Sequence, residues 1–512
     1  MTTTTFSSRA QTREELSRTT FDLLVIGGGI LGTSVAWMAA QAGLRVAMVD
    51  AGDFAGATSS ASSKLVHGGL RYLQTGNLKL VAENHRERRA LAADIAPHLV
   101  KPLDFVVPIY KDGPHGAAKM GAGVFLYSAL SAFGDGVGRV VTPRQALARV
   151  PSLRREGLRA AAVYGDHQMN DSRVAIMTVR AAVEAGAVVL NHAEVVGLRF
   201  DRGLVCGADL RADGAEFGVN ARLVLNATGP WVDVLRRMED AGAAPSIRLS
   251  KGAHVVMRRP DHWKAALTTP IDRYRVSFAI PWEDHLLLGT TDEEYTGDPA
   301  AVRATDADVT QILDEAGMAV EGLRREDVTY TFAGLRVLPG GPGQVTAAKR
   351  ETVVTRGKGG MLSVAGGKWT TYRHIGKVVL RTLGRLLGGD DLAAILPAVP
   401  LPGLASPDAV AMRLWTDREP GVRMDPLVAR HLATHYGAIA FDLARLIRED
   451  PALGERIHPG GPDIWAQVVY ARDHEWAVTV DDVVRRRTTL TVRGLDTSEI
   501  RTRIGEELHE TA

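Results

Sequence analysis

The apolar positions of this chain change period at intervals, and the changes mark its elements. At residues 23–26 the run LLVI reads as a strand buried on both faces. Residues 33–41 carry a helical pattern, and residues 45–49 return to a strand. Taken whole, residues 23–43 are long and apolar enough to imitate a membrane span, for which ~20 such residues suffice. The switch of period midway predicts strand, turn and helix instead. Further short strands are expected at 223–226, 253–257, 276–280, 285–288, 328–332 and 361–364, and a helix from about 366 to 387. Residues 397–403 (PAVPLPG) lack a period and read as a linker. Residues 404–512 read as helical, with 427–436 and 439–447 as examples. Residues 1–20 are polar, have no apolar core, and read as a loose tail rather than a secretory signal.

Between the first strand and its helix, Gly27, Gly29 and Gly32 form G-x-G-x-x-G, and Asp50 ends the second strand. The first glycine permits the tight turn, the second lets a pyrophosphate approach the backbone, and the third lets helix and strand pack closely. The pyrophosphate meets the positive end of the helix, and the carboxylate accepts from the adenosine ribose. This order of strand, turn, helix, strand and acid predicts a dinucleotide site.

Composition narrows the class. The chain has 512 residues, which at about 150 per domain predicts roughly three domains. Lys and Arg total 61 against 59 acidic residues, and a net charge of +2 argues against a nucleic-acid binder. The triplet Arg485-Arg486-Arg487 reads as a solvated or salt-bridged face in so balanced a chain. One cysteine, Cys206, excludes an internal disulfide framework and a thiolate metal cluster, and fits a reducing compartment. No metal is expected.

The glycine turn alone does not separate NAD from FAD. Two later segments favour FAD. Residues 223–229 (LVLNATG) end a strand in Ala-Thr-Gly, a pattern shared by many flavoproteins with two dinucleotide folds. Residues 361–372 (MLSVAGGKWTTY) run from a strand into a helix whose N-terminal dipole suits the electron-rich end of a reduced flavin. Between them, residues 57–72 (ATSSASSKLVHGGLRY) are dense in small hydroxyls and present His67, Arg71 and Tyr72 within six positions. On composition alone that run is equally a Ser-rich solvent loop.

These runs together resemble the FAD-dependent glycerol-3-phosphate dehydrogenases of the aerobic respiratory type. The resemblance extends through residues 226–231, 250–254, 280–282, 289–298, 334–336, 366–373, 473–476 and 481–487, and covers about 21 to 510. Leu31 and Val337 depart from the family's usual pattern. The resemblance implies an α/β chain: a Rossmann-like FAD domain of the two-dinucleotide type, a mixed α+β substrate domain and a C-terminal helical domain. The flavin parts would be about 21–75, 160–250 and 350–388, the substrate parts 76–160 and 250–350, and the helical domain 404–512. It implies FAD contacts from Gly27, Gly29, Gly32, Asp50, Thr58, Ser59, Ser60, Ser63, Lys64 and Leu65. His67, Val195, Thr228, Gly229, Gly367, Lys368 and Thr370 complete that set.

The same resemblance gathers Arg71, Arg336 and Lys368 around a small anion, with Tyr72 and Thr290 adding neutral hydrogen bonds. Converging cations call for an anion, and a phosphate ester supplies one. Glycerol 3-phosphate would lose a hydride from C2 to the flavin and its hydroxyl proton to a base, giving dihydroxyacetone phosphate. His67 is one candidate base. The other reading has His67 touch only the flavin while Arg336 orients a water or the substrate oxygen. A membrane quinone is the expected acceptor, and oxygen is the alternative, as in a glycerol-3-phosphate oxidase. An amine oxidase or a flavin-holding scaffold fits the runs less well. The expected location is cytoplasmic, on the inner face of the cytoplasmic membrane. Residues 118–133 (AKMGAGVFLYSALSAF) are the candidate contact, and the rival reading packs this helix in the substrate domain or in a homodimer interface.

Overall fold

The computed structural model describes residues 7–509 apart from 75, 261, 273–274, 341–351, 390, 395, 397–398 and 417–422. Two sheets organise the chain. The first has the order Thr352–Arg356, Leu362–Gly366, Ala215–Asn226, Thr20–Ile26, Val46–Val49, Val188–Leu190. Its inner strands are parallel, and Leu23, Leu24 and Val25 are fully buried, as the unbroken apolar run requires. The helix Ile30–Gln41 begins three residues earlier than its periodicity suggested and packs on the helices Asp171–Glu184 and Tyr372–Leu386. The third glycine of the turn explains the fit: a Cβ on Gly32 would lie 1.8 Å from the Gly27 carbonyl oxygen.

The second sheet has ten strands. Its long strands are Val100–Tyr110, Leu158–Met169, Ile247–Arg258 and Val328–Pro339. Leu158–Met169 pairs with Val100–Tyr110 and with Leu65–Val66. Residues 65–66 and 160–169, expected in the flavin part, therefore belong to this sheet. The strand at 328 also runs on to Pro339, so Arg336 lies within it rather than after it.

The C-terminal unit is helical, with Pro426–Tyr436 and Ala440–Glu449 close to the expected spans. Residues 397–398 of the expected linker lie outside the described residues. Within it, Leu401 is buried, and its N–H donates to the Ile95 carbonyl at 2.7 Å. Residues 9–18 are not a tail. They form the helix Arg9–Arg18, capped by Ser8 and Gln11, with Leu16 fully buried and Arg9 bound to Asp213 at 3.0 Å. One buried leucine and the ion pairs of Arg9 and Arg13 with Asp213 hold a short polar helix that has little apolar pattern of its own. No described helix is long and apolar enough to cross a membrane.

Candidate active site

A cavity of about 1220 Å³ lies between the two sheets and the C-terminal unit. Its floor is the glycine turn. Gly27 has φ +110° and a Cβ there would meet the Ala227 carbonyl at 2.6 Å, so only glycine fits. Ser59 Oγ accepts the Ile30 N–H at 2.9 Å at the helix start, and Thr58 Oγ1 donates to the Leu335 carbonyl at 2.8 Å. The hydroxyl-rich run is thus stitched to the helix on one side and to the Arg336 strand on the other. Asp50 Oδ2 accepts from Gly28 N–H at 2.6 Å and Oδ1 from Gly52 N–H at 2.8 Å. Burial pushes its carboxyl above the usual range, against the pull of these two amides.

The lining brings together Gly27, Gly29, Asp50, Thr58, Ser59 and Ser63. It continues through Leu65, His67, Val195, Thr228, Gly229, Gly367, Lys368 and Thr370. Three expected contacts do not reach it. Gly32 serves the helix–strand approach. Ser60 Oγ turns back to the Ala57 carbonyl at 3.3 Å. Lys64 is buried against Asp171, with its Nζ donating at 2.6 Å, because a fully buried carboxylate needs a counter-charge.

His67 N–H donates to Thr370 Oγ1 at 3.2 Å, which ties the hydroxyl-rich run to the turn that leads into the helix Tyr372–Leu386. Lys368 Nζ lies 3.6 Å from the centre of the Tyr72 ring. Arg336 donates to Thr290 Oγ1 at 2.9 Å, the Thr291 carbonyl at 3.1 Å and Asp292 Oδ1 at 3.2 Å. Its guanidinium lies over Gly252, where a Cβ would come within 2.5 Å of it. The side chain of Arg71 lies outside the described residues.

Several residues of the site were not singled out from sequence. His254 lines the cavity, takes or gives a hydrogen bond with Ser63 Oγ at 2.9 Å, and stacks on Phe332. Burial, with Arg336 and Lys64 nearby, pushes its imidazole down to about 3, so it is neutral at working pH. Asp166 accepts from Gly68 N–H at 3.1 Å and Tyr127 Oη at 2.7 Å, and forms a short ion pair with buried Arg88. This network braces the backbone directly after His67. The polar D-H in the strand run VYGDHQM was a signal; its pairing partners, 78 and 98 positions away, were not visible.

The groups fit a flavin dinucleotide. An extended cavity runs from Asp50 and Val195, past a glycine turn closed to any side chain, to Gly367 and His67. The comparisons agree. The family described as FAD dependent oxidoreductase matches residues 22–373, and the C-terminal domain of alpha-glycerophosphate oxidase matches residues 385–510. The chain thus belongs to the FAD-dependent oxidoreductases. A glycerol-3-phosphate dehydrogenase of Synechocystis sp. is 35% identical over 508 residues, covering 93% of this chain and 90% of that one. The crystal structure of the glycerol-3-phosphate dehydrogenase from Bacillus halodurans, complexed with FAD, superposes with a TM-score of 0.75 at 27% identity, covering 98% of this chain and 96% of that chain. The L-alpha-glycerophosphate oxidase of Mycoplasma pneumoniae shares the fold at a TM-score of 0.56 and 16% identity, over 73% of this chain and 96% of that chain. Within the class, the chain belongs to the glycerol-3-phosphate dehydrogenase family, and its cofactor is FAD.

Cys206 sits on the strand Leu204–Ala212 and is not among the cavity-lining residues. Cys206 is thus not placed to form a thioether to the flavin, and one FAD per chain is expected to be held without a covalent bond. Acid or heat denaturation followed by filtration should pass all of the yellow chromophore, and chromophore kept on the chain would refute this.

Proposed function

We propose that the protein oxidises sn-glycerol 3-phosphate to dihydroxyacetone phosphate and passes the electrons to a membrane quinone. The observation that carries the substrate is that Arg336, on a strand of the second sheet, and Lys368, just past the strand Leu362–Gly366 of the first, both line the cavity that also holds His67. Bound FAD supplies the acceptor for the hydride from the substrate's secondary carbon. The chain's own residues do the rest. Arg336 and Lys368 hold the phosphate ester and oppose the charge developing on the alcohol oxygen. Arg336 is anchored to Asp292 and stays charged, so it orients the substrate and is no proton acceptor. His67, held at its backbone by Thr370, takes the hydroxyl proton. The test is anaerobic reduction of the flavin. Glycerol 3-phosphate should bleach it, and glycerol or an amino acid should not; bleaching by an amino acid alone would replace this reading.

A second reading, oxidation by oxygen, has the fold shared with the Mycoplasma oxidase in its favour. Oxygen uptake with and without a quinone analogue separates the two.

The quinone requires contact with a bilayer, and the helix Ala117–Leu130 supports one. Its Val124 and Tyr127 are buried, whereas Phe125 is 53% exposed and Leu126 and Phe133 are each 42% exposed. Val137 and Val140 add further exposed apolar surface nearby. The same helix lines the cavity through Lys119, Met120, Ala122, Gly123, Val124 and Leu126, so its lipid-facing groups stand at the cavity's edge. Seating this side on the inner face of the cytoplasmic membrane would bring the lipid phase to the flavin site. Apolar burial of this kind contributes a few kcal/mol at ~25 cal/mol per Å², and exposed Lys119 would favour anionic lipid. Wild type should co-sediment with anionic vesicles, and a Phe125→Ser, Leu126→Ser variant should do so several-fold less. Equal sedimentation of the two folded proteins would remove this helix as the contact. A homodimer covering the same face is the competing occupant, and light scattering of the two proteins would reveal it.

A further inference from the structure

The family's activity leaves one sequence feature unused: residues 473–487, with Trp476 and the arginine triplet. We infer that this stretch of the C-terminal unit closes the adenosine end of the FAD site and that Asp53 latches it there. Thr479, Asp482, Arg485 and Arg486 line the cavity alongside Asp50, His192 and Val195. The latch is built from buried charge. Asp53, on the loop after Asp50, is 4% exposed and receives short contacts from Arg486 Nε and Arg487 Nη1, with Arg487 Nη2 donating to its other oxygen at 2.8 Å. Asn191 Nδ2 donates to it at 3.1 Å.

A second strap runs in parallel. His192 N–H donates to the Gly52 carbonyl at 2.8 Å, its ring meets Asp482 at 2.9 Å, and Asp482 accepts Arg486 Nη2 at 2.9 Å. Apolar packing completes the link to the glycine turn. Phe54 is fully buried and meets the edge of Trp476 with ring centres 5.7 Å apart. A Cβ on Gly28 would lie 2.4 Å from Phe54, so Phe54 links Trp476 of the wall to the turn beneath the cofactor. A loop fixed between cofactor and wall must move if either leaves. Binding of FAD and docking of residues 476–487 then strengthen each other by the same factor.

Arg487 tests this, because it holds Asp53 and the Glu475 carbonyl but does not line the cavity. The inference rests on FAD lying in the cavity with its adenosine toward Asp50. In full-length holoenzyme, Arg487→Met should release FAD about five- to a hundredfold faster, the range of ordinary coupling between sites. The rise of flavin fluorescence after dilution reads this. Arg487→Lys, which keeps a charged donor for Asp53, should recover most of the retention. Hydrogen exchange of the wild type supplies the reciprocal measurement and needs no variant. Removing FAD should lower protection at 476–487 and leave the helices at 426–449 unchanged. Unaltered release in folded Arg487→Met, or unaltered exchange at 476–487 on FAD removal, overturns the latch. A chain that is purified without flavin and takes up none overturns the cofactor reading itself.

Discussion

Replacing Arg336 by alanine is expected to lower kcat/KM for glycerol 3-phosphate by about tenfold to over a hundredfold while FAD stays bound. The arginine sits within Val328–Pro339, where pairing with Ser250 of Ile247–Arg258 fixes its backbone. Thr290, Thr291 and Asp292 then fix its guanidinium, and Gly252 leaves the room for it. A hydrogen bond from a charged group contributes on the order of 1.5–3 kcal/mol, which sets the range. Alanine has a second effect. It leaves the Asp292 carboxylate without its cation, so the pocket that held a phosphate dianion turns repulsive. Lysine should rescue little, since a point charge cannot reproduce the planar fork that spans Thr290 and Asp292. Gly252→Ala should give a milder loss by pushing the guanidinium aside. Lys368→Ala and Arg71→Ala should act in the same direction as Arg336→Ala. Steady-state kinetics at matched flavin content decides the matter: unchanged values in all three alanine variants would dissolve the cationic clamp.

What could be read from the chain follows from the range of the forces involved. The glycine turn, Asp50 and the strands around them are local, because buried parallel strands write their burial as contiguous apolar runs. Thr58, Ser59, Ser63 and Thr370 were expected as flavin contacts through the resemblance, and all four line the cavity. The misses depend on partners distant in sequence. Lys64 stands among small hydroxyls, but Asp171, 107 residues on, draws it into the interior. Asp166 is an unremarked polar position until Gly68, Tyr127 and Arg88 converge on it. The helix Arg9–Arg18 did leave a mark, Ser8 with Gln11 three residues later, the spacing of a reciprocal cap. Lacking an apolar stripe, it passed for a tail. The arginine triplet read as solvated or salt-bridged; Arg486 and Arg487 are bridged, but inside the protein rather than on its surface.

The largest loss of stability is expected from Glu475→Ala, about 3–5 kcal/mol. Glu475 and Arg173 are buried, at 0% and 1% exposure, and join the C-terminal unit to the helix Asp171–Glu184 of the flavin domain. The pair is bidentate: Arg173 Nη1 and Nη2 donate to the two carboxylate oxygens at 2.7 and 2.5 Å. Arg173 Nε donates to the His435 carbonyl at 2.7 Å, and the guanidinium lies 3.9 Å from the centre of the Tyr436 ring. Burial alone would favour losing the proton, yet Glu475 outweighs it and holds the guanidinium charged, above its usual range. Removing the carboxylate therefore leaves a cation with no solvent and no counter-charge. That is far costlier than losing the attraction itself, because two buried charges nearly repay their desolvation only while both are present. The double variant Arg173→Met, Glu475→Leu separates the two contributions: replacing both charges by apolar groups of similar size should recover most of the loss. Denaturant midpoints of the FAD-saturated proteins measure the effect. A single variant within ~0.5 kcal/mol of wild type, the ordinary spread for a surface change, would mean that the interface does not depend on this pair.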